Sequence, residues 1–219
     1  MAIHASVLPP VQIDQVVYHA ALFNMQNWHA LAMNTDSLPE AIDRLFSLLE
    51  QRRIDYVLVG GIALLSYVEG RNTEDIDLIV AVASLDRLPE IEITSRDMYF
   101  ARGKFMGLQI DFLLTSNPLF DQVRRHHVVV QHFAERDIRT ATVEGLLLLK
   151  LYALPSLYRE GNFARVGLYE NDIATLLHYY PVDREAIIDK LTPYLSVNDL
   201  TEVRSILAEI EERLLRFRK

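Results

Sequence analysis

Three aspartates carry the clearest chemical signal in this chain of 219 residues. Asp75 and Asp77 lie two positions apart in an apolar run, and Asp111 stands between Ile110 and Phe112. Side chains two apart on a strand point to the same face, with their Cα atoms about 6.5–7 Å apart, so both carboxylates of the first pair can reach one small site. Because ionised groups are costly in apolar strands, this pattern predicts a compensating cation.

A hard divalent cation would supply that compensation, since it prefers oxygen ligands and Mg²⁺ commonly shares its site with phosphates. If the strand of Asp111 pairs beside the strand of Asp75 and Asp77, three carboxylates can hold two metal ions. One ion would lower the pKa of an attacking hydroxyl, and the other would hold a nucleoside triphosphate. The predicted cofactor is therefore Mg²⁺, with two ions, and the predicted substrate is an NTP.

A glycine pair completes this predicted site. Gly60 and Gly61 directly follow the apolar run 56–59, which is typical of a buried strand that ends in a tight turn. Glycine lets the backbone approach a ligand closely, and amides at a helix start can bind phosphate. Arg71 could add a bidentate phosphate contact, and Thr73 could donate its hydroxyl near the metal.

The elements that must position these residues follow from hydrophobic periodicity. Period-two or continuous apolar patterns predict six strands, at 56–59, 76–82, 98–102, 108–114, 128–132 and 138–141. Helical spacing predicts seven helices, at 37–53, 62–67, 117–125, 143–154, 165–179, 184–194 and 198–217. A further apolar segment at 11–33 could form a helix without an assignable role.

The order of these elements predicts an α/β (α+β) fold, in which a small mixed sheet with flanking helices precedes a mostly helical C-terminal lobe. We divide the chain into an N-terminal extension of unknown role at 1–36, a core at 37–142 and the helical lobe at 143–219. Two lobes of this kind leave a cleft between them, where ligands usually bind.

Composition narrows the function classes. The chain has no cysteine, which excludes disulfides, thiolate metal sites and cysteine nucleophiles. Its net charge of −8 argues against a broad basic surface for nucleic acid. The uncharged run 56–68 has 13 residues, fewer than the roughly 18 of a membrane span, and the start MAIHASVLPP lacks a signal-peptide pattern. We therefore expect a cytoplasmic protein that does not enter the membrane.

The glycine pair, the acidic pair and the third acid together resemble the DNA polymerase β-type nucleotidyltransferase superfamily. The stretch GGIALLSYVEGRNTEDIDL is most similar to the AbiEii-type branch, which includes toxins of toxin–antitoxin systems and the MenT-like enzymes. This resemblance covers about residues 40–180. It implies a nucleotidyltransferase core in which Asp75, Asp77 and Asp111 are catalytic and hold the metals. The glycine pair, Arg71 and Thr73 would bind nucleotide.

The resemblance also reaches the helical lobe, where the branch carries a lysine in an early helix and an acid in a later one. Lys150, in LLLLKLYAL, matches the lysine, and Asp172 matches the acid. The resemblance implies that Lys150 binds the nucleotide phosphates and that Asp172 helps to form the pocket. Glu170 and Asn171 replace the more basic approach that the branch usually has before this acid.

The predicted reaction is transfer of a nucleoside monophosphate from an NTP to an acceptor hydroxyl, and the acceptor stays open. It could be a tRNA 3′ end, as in a toxin that has an antitoxin partner, a small molecule of aminoglycoside type, or a protein hydroxyl. A non-catalytic module that binds nucleotide or a partner is the alternative from another class. Four arginines could mark a path for an anionic acceptor, although a solvated face is the simpler interpretation; they are Arg124, Arg125, Arg136 and Arg139.

Overall fold

The computed structural model describes residues 37–68, 75–133 and 136–216. The predicted helix at 11–33 and the predicted nucleotide ligands Arg71 and Thr73 lie outside the described residues. Within the described part, the chain forms seven strands and eight helices, in the mixed order that the sequence predicts. The predicted α/β fold class is thereby confirmed.

The strands are β1 Tyr56–Val59, β2 Asp75–Val80, β3 Glu92–Arg96, β4 Phe100–Phe105, β5 Leu108–Leu114, β6 Val128–Phe133 and β7 Arg136–Ala141. The helices are α1 Ser37–Gln51, α2 Gly60–Leu65, α3 Val82–Leu85, α4 Pro118–His126, α5 Val143–Arg159, α6 Phe163–Tyr179, α7 Arg184–Leu191 and α8 Val197–Arg216.

One mixed sheet has the order β3-β4-β5-β2-β1-β7-β6. The pairs β2–β5 and β1–β7 are parallel, whereas β1–β2 and β4–β5 are antiparallel. The C-terminal end of β1 and the N-terminal end of β2 therefore meet at the same edge of the sheet, next to the start of β5. This edge is where the sequence places the glycine pair and the acidic pair.

Several local features differ from the sequence prediction. The strand predicted at 98–102 spans Phe100–Phe105, and the helix predicted at 62–67 spans Gly60–Leu65. The edge strand β3 was missed, because all of its residues are exposed and no apolar period marks them. The strand predicted to reach Val82 ends at Val80, since α3 begins at Val82. Helix α5 was predicted to end at Leu154, but it continues through the buried Pro155 to Arg159. Tertiary packing of Pro155 thus outweighs the lost backbone hydrogen bond.

Buried apolar side chains of the sheet and of the helices form one continuous core. Helix α5 lies at the centre of the helical lobe and packs against α6, α7 and α8. It also contacts α2 and β7, so this helix packs against the sheet region as well as against the other helices. Among the helices of the described residues, none combines the length and the apolar character needed to cross a membrane.

Candidate active site

Strands β2 and β5 bring the second and third aspartates side by side. They pair in register, so that Asp77 lies directly opposite Asp111 and Asp75 lies opposite Gln109. The intervening residues Ile76 and Ile110 are fully buried, which turns the aspartates to the opposite face. The alternation read from the sequence therefore determines the face, and the parallel pairing makes Asp77 and Asp111 neighbours.

The glycine pair packs directly on Asp77. Val59 pairs with Asp77 across β1 and β2, and Gly60 follows with a φ of +66°, a conformation that side chains with a Cβ rarely adopt. A Cβ on Gly60 would lie 1.8 Å from Oδ2 of Asp77. The backbone N–H of Gly61 donates a hydrogen bond to the Asp77 carboxylate. The sequence analysis predicts that a ligand approaches the glycine backbone. In this structure, the group in contact with it is the Asp77 carboxylate.

The environment of Asp77 disfavours its charge. Burial raises the pKa of Asp77 to about 6, and repulsion from Asp111 and Asp75 acts in the same direction. The Lys150 ammonium and the N–H of Gly61 oppose this rise in pKa. The protein therefore holds a carboxylate where it is unfavourable, which is common at functional sites.

This raised pKa predicts a pH-dependent cost in metal-free protein. Asp77 binds its proton more tightly in the folded state, with a pKa of about 6 against 3.8. The stability that proton binding contributes is therefore complete below pH 4 and lost as the pH rises through 6. Above pH 6 the loss approaches about 3 kcal/mol, from roughly 1.4 kcal/mol per pKa unit.

Asp77→Asn should remove this cost. We expect urea unfolding in a chelator to show the variant about 2–3 kcal/mol more stable than wild type at pH 8, and nearly equal to it at pH 4. The neutral amide still accepts the Gly61 hydrogen bond, so that contact should be kept. A constant difference across this pH range would contradict the raised pKa.

Arg102 on β4 is a site residue that the sequence analysis did not identify. It lies directly opposite Asp111, and its Nε and Nη2 donate hydrogen bonds of 2.7 Å each to Oδ1 and Oδ2 of that carboxylate. The one available signal was an arginine in a predicted strand next to an aspartate strand. That signal is weak, because Arg102 and Asp111 are neighbours only in one register of the two strands. Hydrophobic periodicity does not specify that register.

The two predicted residues of the helical lobe are brought together. Nζ of Lys150 on α5 donates a 2.7 Å hydrogen bond to Oδ2 of Asp172 on α6, and both side chains are at most 5% exposed. The same ammonium lies 4.4 Å from the centre of the Tyr169 ring. Lys150 is among the residues that line the cleft, and Asp172 is not.

Breaking this buried ion pair should be costly. We expect Lys150→Met to lower the free energy of unfolding by about 3–5 kcal/mol, because the buried Asp172 carboxylate loses the hydrogen bond that the Lys150 ammonium donates to it. The double variant Lys150→Met with Asp172→Leu should recover most of that loss, since neither charge remains buried. Urea unfolding of the three proteins measures the effect. A single variant as stable as wild type would contradict the cost assigned to breaking this pair.

A cleft of about 700 Å³ opens between the sheet and α5. Gly60, Asp77 and Asp111 lie in its wall, together with Arg102 and Lys150. The rest of the wall combines aromatic side chains, such as Phe120, Tyr152 and Tyr194, with six further charged residues, which are Arg96, Asp97, Arg159, Glu160, Arg165 and Asp199. A cleft with apolar walls and converging charged groups has the composition of a small-molecule site.

The donor chemistry of this wall fits a divalent cation. Asp77 and Asp111 present carboxylate oxygens from adjoining strands, and their mutual repulsion is the condition that a hard cation relieves. Among the described residues, however, no three His, Asp or Glu side chains converge on one point as metal ligands. The Asp111 carboxylate faces the Arg102 guanidinium instead. The two-metal arrangement of all three aspartates stays a prediction.

The arginines considered as a path for an anionic acceptor are neutralised. Arg124 and Arg139 both pair with Asp55, Arg136 pairs with Asp43 and Glu50, and Arg125 pairs with Asp121. These ion pairs agree with the simpler interpretation of a solvated face. His126, His127 and His132 belong to no metal-binding group within the described ranges.

The seven-stranded mixed sheet and the packed helices are consistent with a nucleotidyltransferase-like fold. The structure is similar to that of an antigenic nucleotidyltransferase-like protein from Paracoccidioides brasiliensis, with a TM-score of 0.53 and 15% sequence identity. The alignment covers 95% of this chain and 94% of that chain. At this identity the likeness concerns the fold.

Two further solved structures are similar with lower TM-scores. ANT(2″)-Ia in complex with adenylyl-2″-tobramycin has a TM-score of 0.45 at 12% identity, over 79% of this chain and 96% of that chain. TM1012 from Thermotoga maritima, a candidate nucleotidyltransferase by name, has a TM-score of 0.42 at 11% identity, over 65% of this chain and 99% of that one. No family model and no curated protein matches the sequence.

Proposed function

We propose that the protein is a metal-dependent nucleotidyltransferase, which transfers a nucleoside monophosphate from an NTP to an acceptor hydroxyl. The observation that carries this proposal is the Asp77–Asp111 pair, held in register on two parallel strands and packed against Gly60 in the cleft wall. A divalent cation bound between these two carboxylates would offset their repulsion, and the same cation could bind the phosphates of an NTP.

In this reaction the acceptor oxygen forms a bond to the α-phosphorus, the bond from that phosphorus to the bridging oxygen breaks, and pyrophosphate leaves. The acceptor proton would pass to a carboxylate of the site, for which Asp111 is the candidate. Asp77 and Asp111 would hold the divalent cation, which when bound lowers the pKa of the hydroxyl and neutralises triphosphate charge. Lys150 adds a fixed positive charge in the same wall. Positioning and electrostatics supply most of the acceleration in such transfers.

For the acceptor, the charges favour a small hydroxylated molecule over the tRNA 3′ end that the toxin branch suggests. RNA binding depends on basic groups that neutralise phosphates, and the arginine cluster Arg124, Arg125, Arg136 and Arg139 is already paired with acids. A cleft of about 700 Å³ is the size of small-molecule sites. A tRNA or a protein acceptor, and an antitoxin partner, remain the alternatives.

The test is incubation with each of four α-labelled NTPs and Mg²⁺, separately with tRNA, a protein extract and a pool of aminoglycosides. We expect label in the small-molecule fraction and far less with Asp77→Asn. Label in tRNA alone would reverse the choice of acceptor. NTP binding by calorimetry without transfer to any pool would favour the non-catalytic module.

A further inference from the structure

The two ion pairs at the cleft differ in burial. Lys150 and Asp172 are 5% and 2% exposed, whereas the Arg102 side chain is 45% exposed and that of Asp111 is 17% exposed. A charge freed from the first pair would stay buried, but the Arg102 guanidinium can turn into water at little cost. The pair Lys150–Asp172 is therefore fixed, and the pair Arg102–Asp111 is exchangeable.

Arg102 is hydrogen-bonded to the Asp111 carboxylate, which would otherwise be available to bind a cation. Its two hydrogen bonds engage both oxygens of Asp111. A divalent cation on those oxygens would lie beside the guanidinium and be repelled by it. The negative charges of Asp75 and Asp77 also act on this guanidinium, so Arg102 is one of the counter-charges of the acidic cluster.

A nucleoside triphosphate would offer Arg102 another partner. The guanidinium lines the cleft, and its planar fork matches phosphate oxygens as well as it matches a carboxylate. Once the guanidinium moves to a phosphate, both oxygens of Asp111 become available to the cation that accompanies the triphosphate.

We propose that Arg102 is an exchangeable counter-ion, which keeps a divalent cation off Asp111 until a nucleoside triphosphate draws the guanidinium away. This inference rests on the proposed function and adds how nucleotide binding controls cation binding at the same site. Metal and nucleotide binding are then positively coupled, and each raises the affinity for the other by the same factor. Arg102 acts on the cation through Asp111, and on the triphosphate directly once the guanidinium has moved.

Mn²⁺ binding followed by electron paramagnetic resonance tests this coupling without any turnover. We expect Arg102→Gln to bind Mn²⁺ about tenfold more tightly than wild type when nucleotide is absent, which is a typical coupling factor. The α,β-methylene analogue of ATP should raise Mn²⁺ affinity in wild type and change it much less in Arg102→Gln. Arg96→Gln is the matched control, because it removes the same charge from the same cleft wall.

Equal Mn²⁺ affinity in Arg102→Gln and wild type would overturn the inference, and so would an equal gain in Arg96→Gln. The gain should vanish when Asp111→Asn is added to Arg102→Gln, and its persistence would count against Asp111 as the ligand. Transfer by wild type together with unchanged Mn²⁺ binding in Arg102→Gln refutes this inference alone. Absence of both transfer and Mn²⁺ binding refutes the proposed function as well.

Discussion

Asp77→Asn is expected to lower nucleotidyl transfer by about 10²–10³-fold, the scale for removing one charge-stabilising group at a reacting centre. Asp77 lies opposite Asp111, packs on Gly60 and interacts electrostatically with the Lys150 ammonium, so it contacts or interacts with most of the candidate site. An amide keeps the shape and loses the charge that would hold a cation. The measurement is label transfer from the best NTP at saturating Mg²⁺.

Asp189→Asn is the control for this prediction. Asp189 is exposed on α7, so the substitution changes the net charge equally and leaves the cleft untouched. It should retain full transfer. Because Asp77→Asn is also expected to be more stable than wild type at pH 8, loss of folding would not explain its inactivity. Transfer by Asp77→Asn within tenfold of wild type would remove this carboxylate from the proposed chemistry.

Gly60→Ala is expected to have the largest effect on stability of any single methyl group added at the site. The residue must keep a φ of +66°, and the new Cβ would overlap Oδ2 of Asp77 at 1.8 Å and Cβ of Asp77 at 2.7 Å. The second contact cannot be relieved by rotating the carboxylate, so β1 and β2 must separate. We expect a loss of about 3 kcal/mol or more in the free energy of unfolding, together with loss of transfer.

The matched control is Gly167→Ala in α6. No atom lies within 4 Å of a Cβ built there, and its φ is not positive. Alanine is the better helix former by about 1 kcal/mol, so this substitution should stabilise the protein. Urea unfolding of both variants makes the comparison. If Gly60→Ala unfolds at the wild-type urea concentration, the tight packing of Asp77 on β1 is wrong.

The apolar strands and their polar interruptions could be predicted from the sequence, because burial imposes a period of two on a strand. That period identified the strands of Asp77 and Asp111 and the common face of Asp75 and Asp77. It could not identify β3, whose exposed residues carry no burial pattern. The sequence also predicts that α5 ends before Pro155, because proline disfavours the interior of a helix. The packing that the buried Pro155 gains in the folded protein cannot be read from its local sequence.

The sequence by itself determined which residues are the candidates for chemistry: the glycine pair after β1 and the carboxylates on apolar strands stand out because such placements are costly without a use. Only the tertiary structure decided which charges meet. The Arg102–Asp111 pair depends on the register of β4 on β5, and the Lys150–Asp172 pair depends on how α5 packs on α6. These contacts join residues through strand order and helix packing, and the periodicity of a single segment carries no information about either.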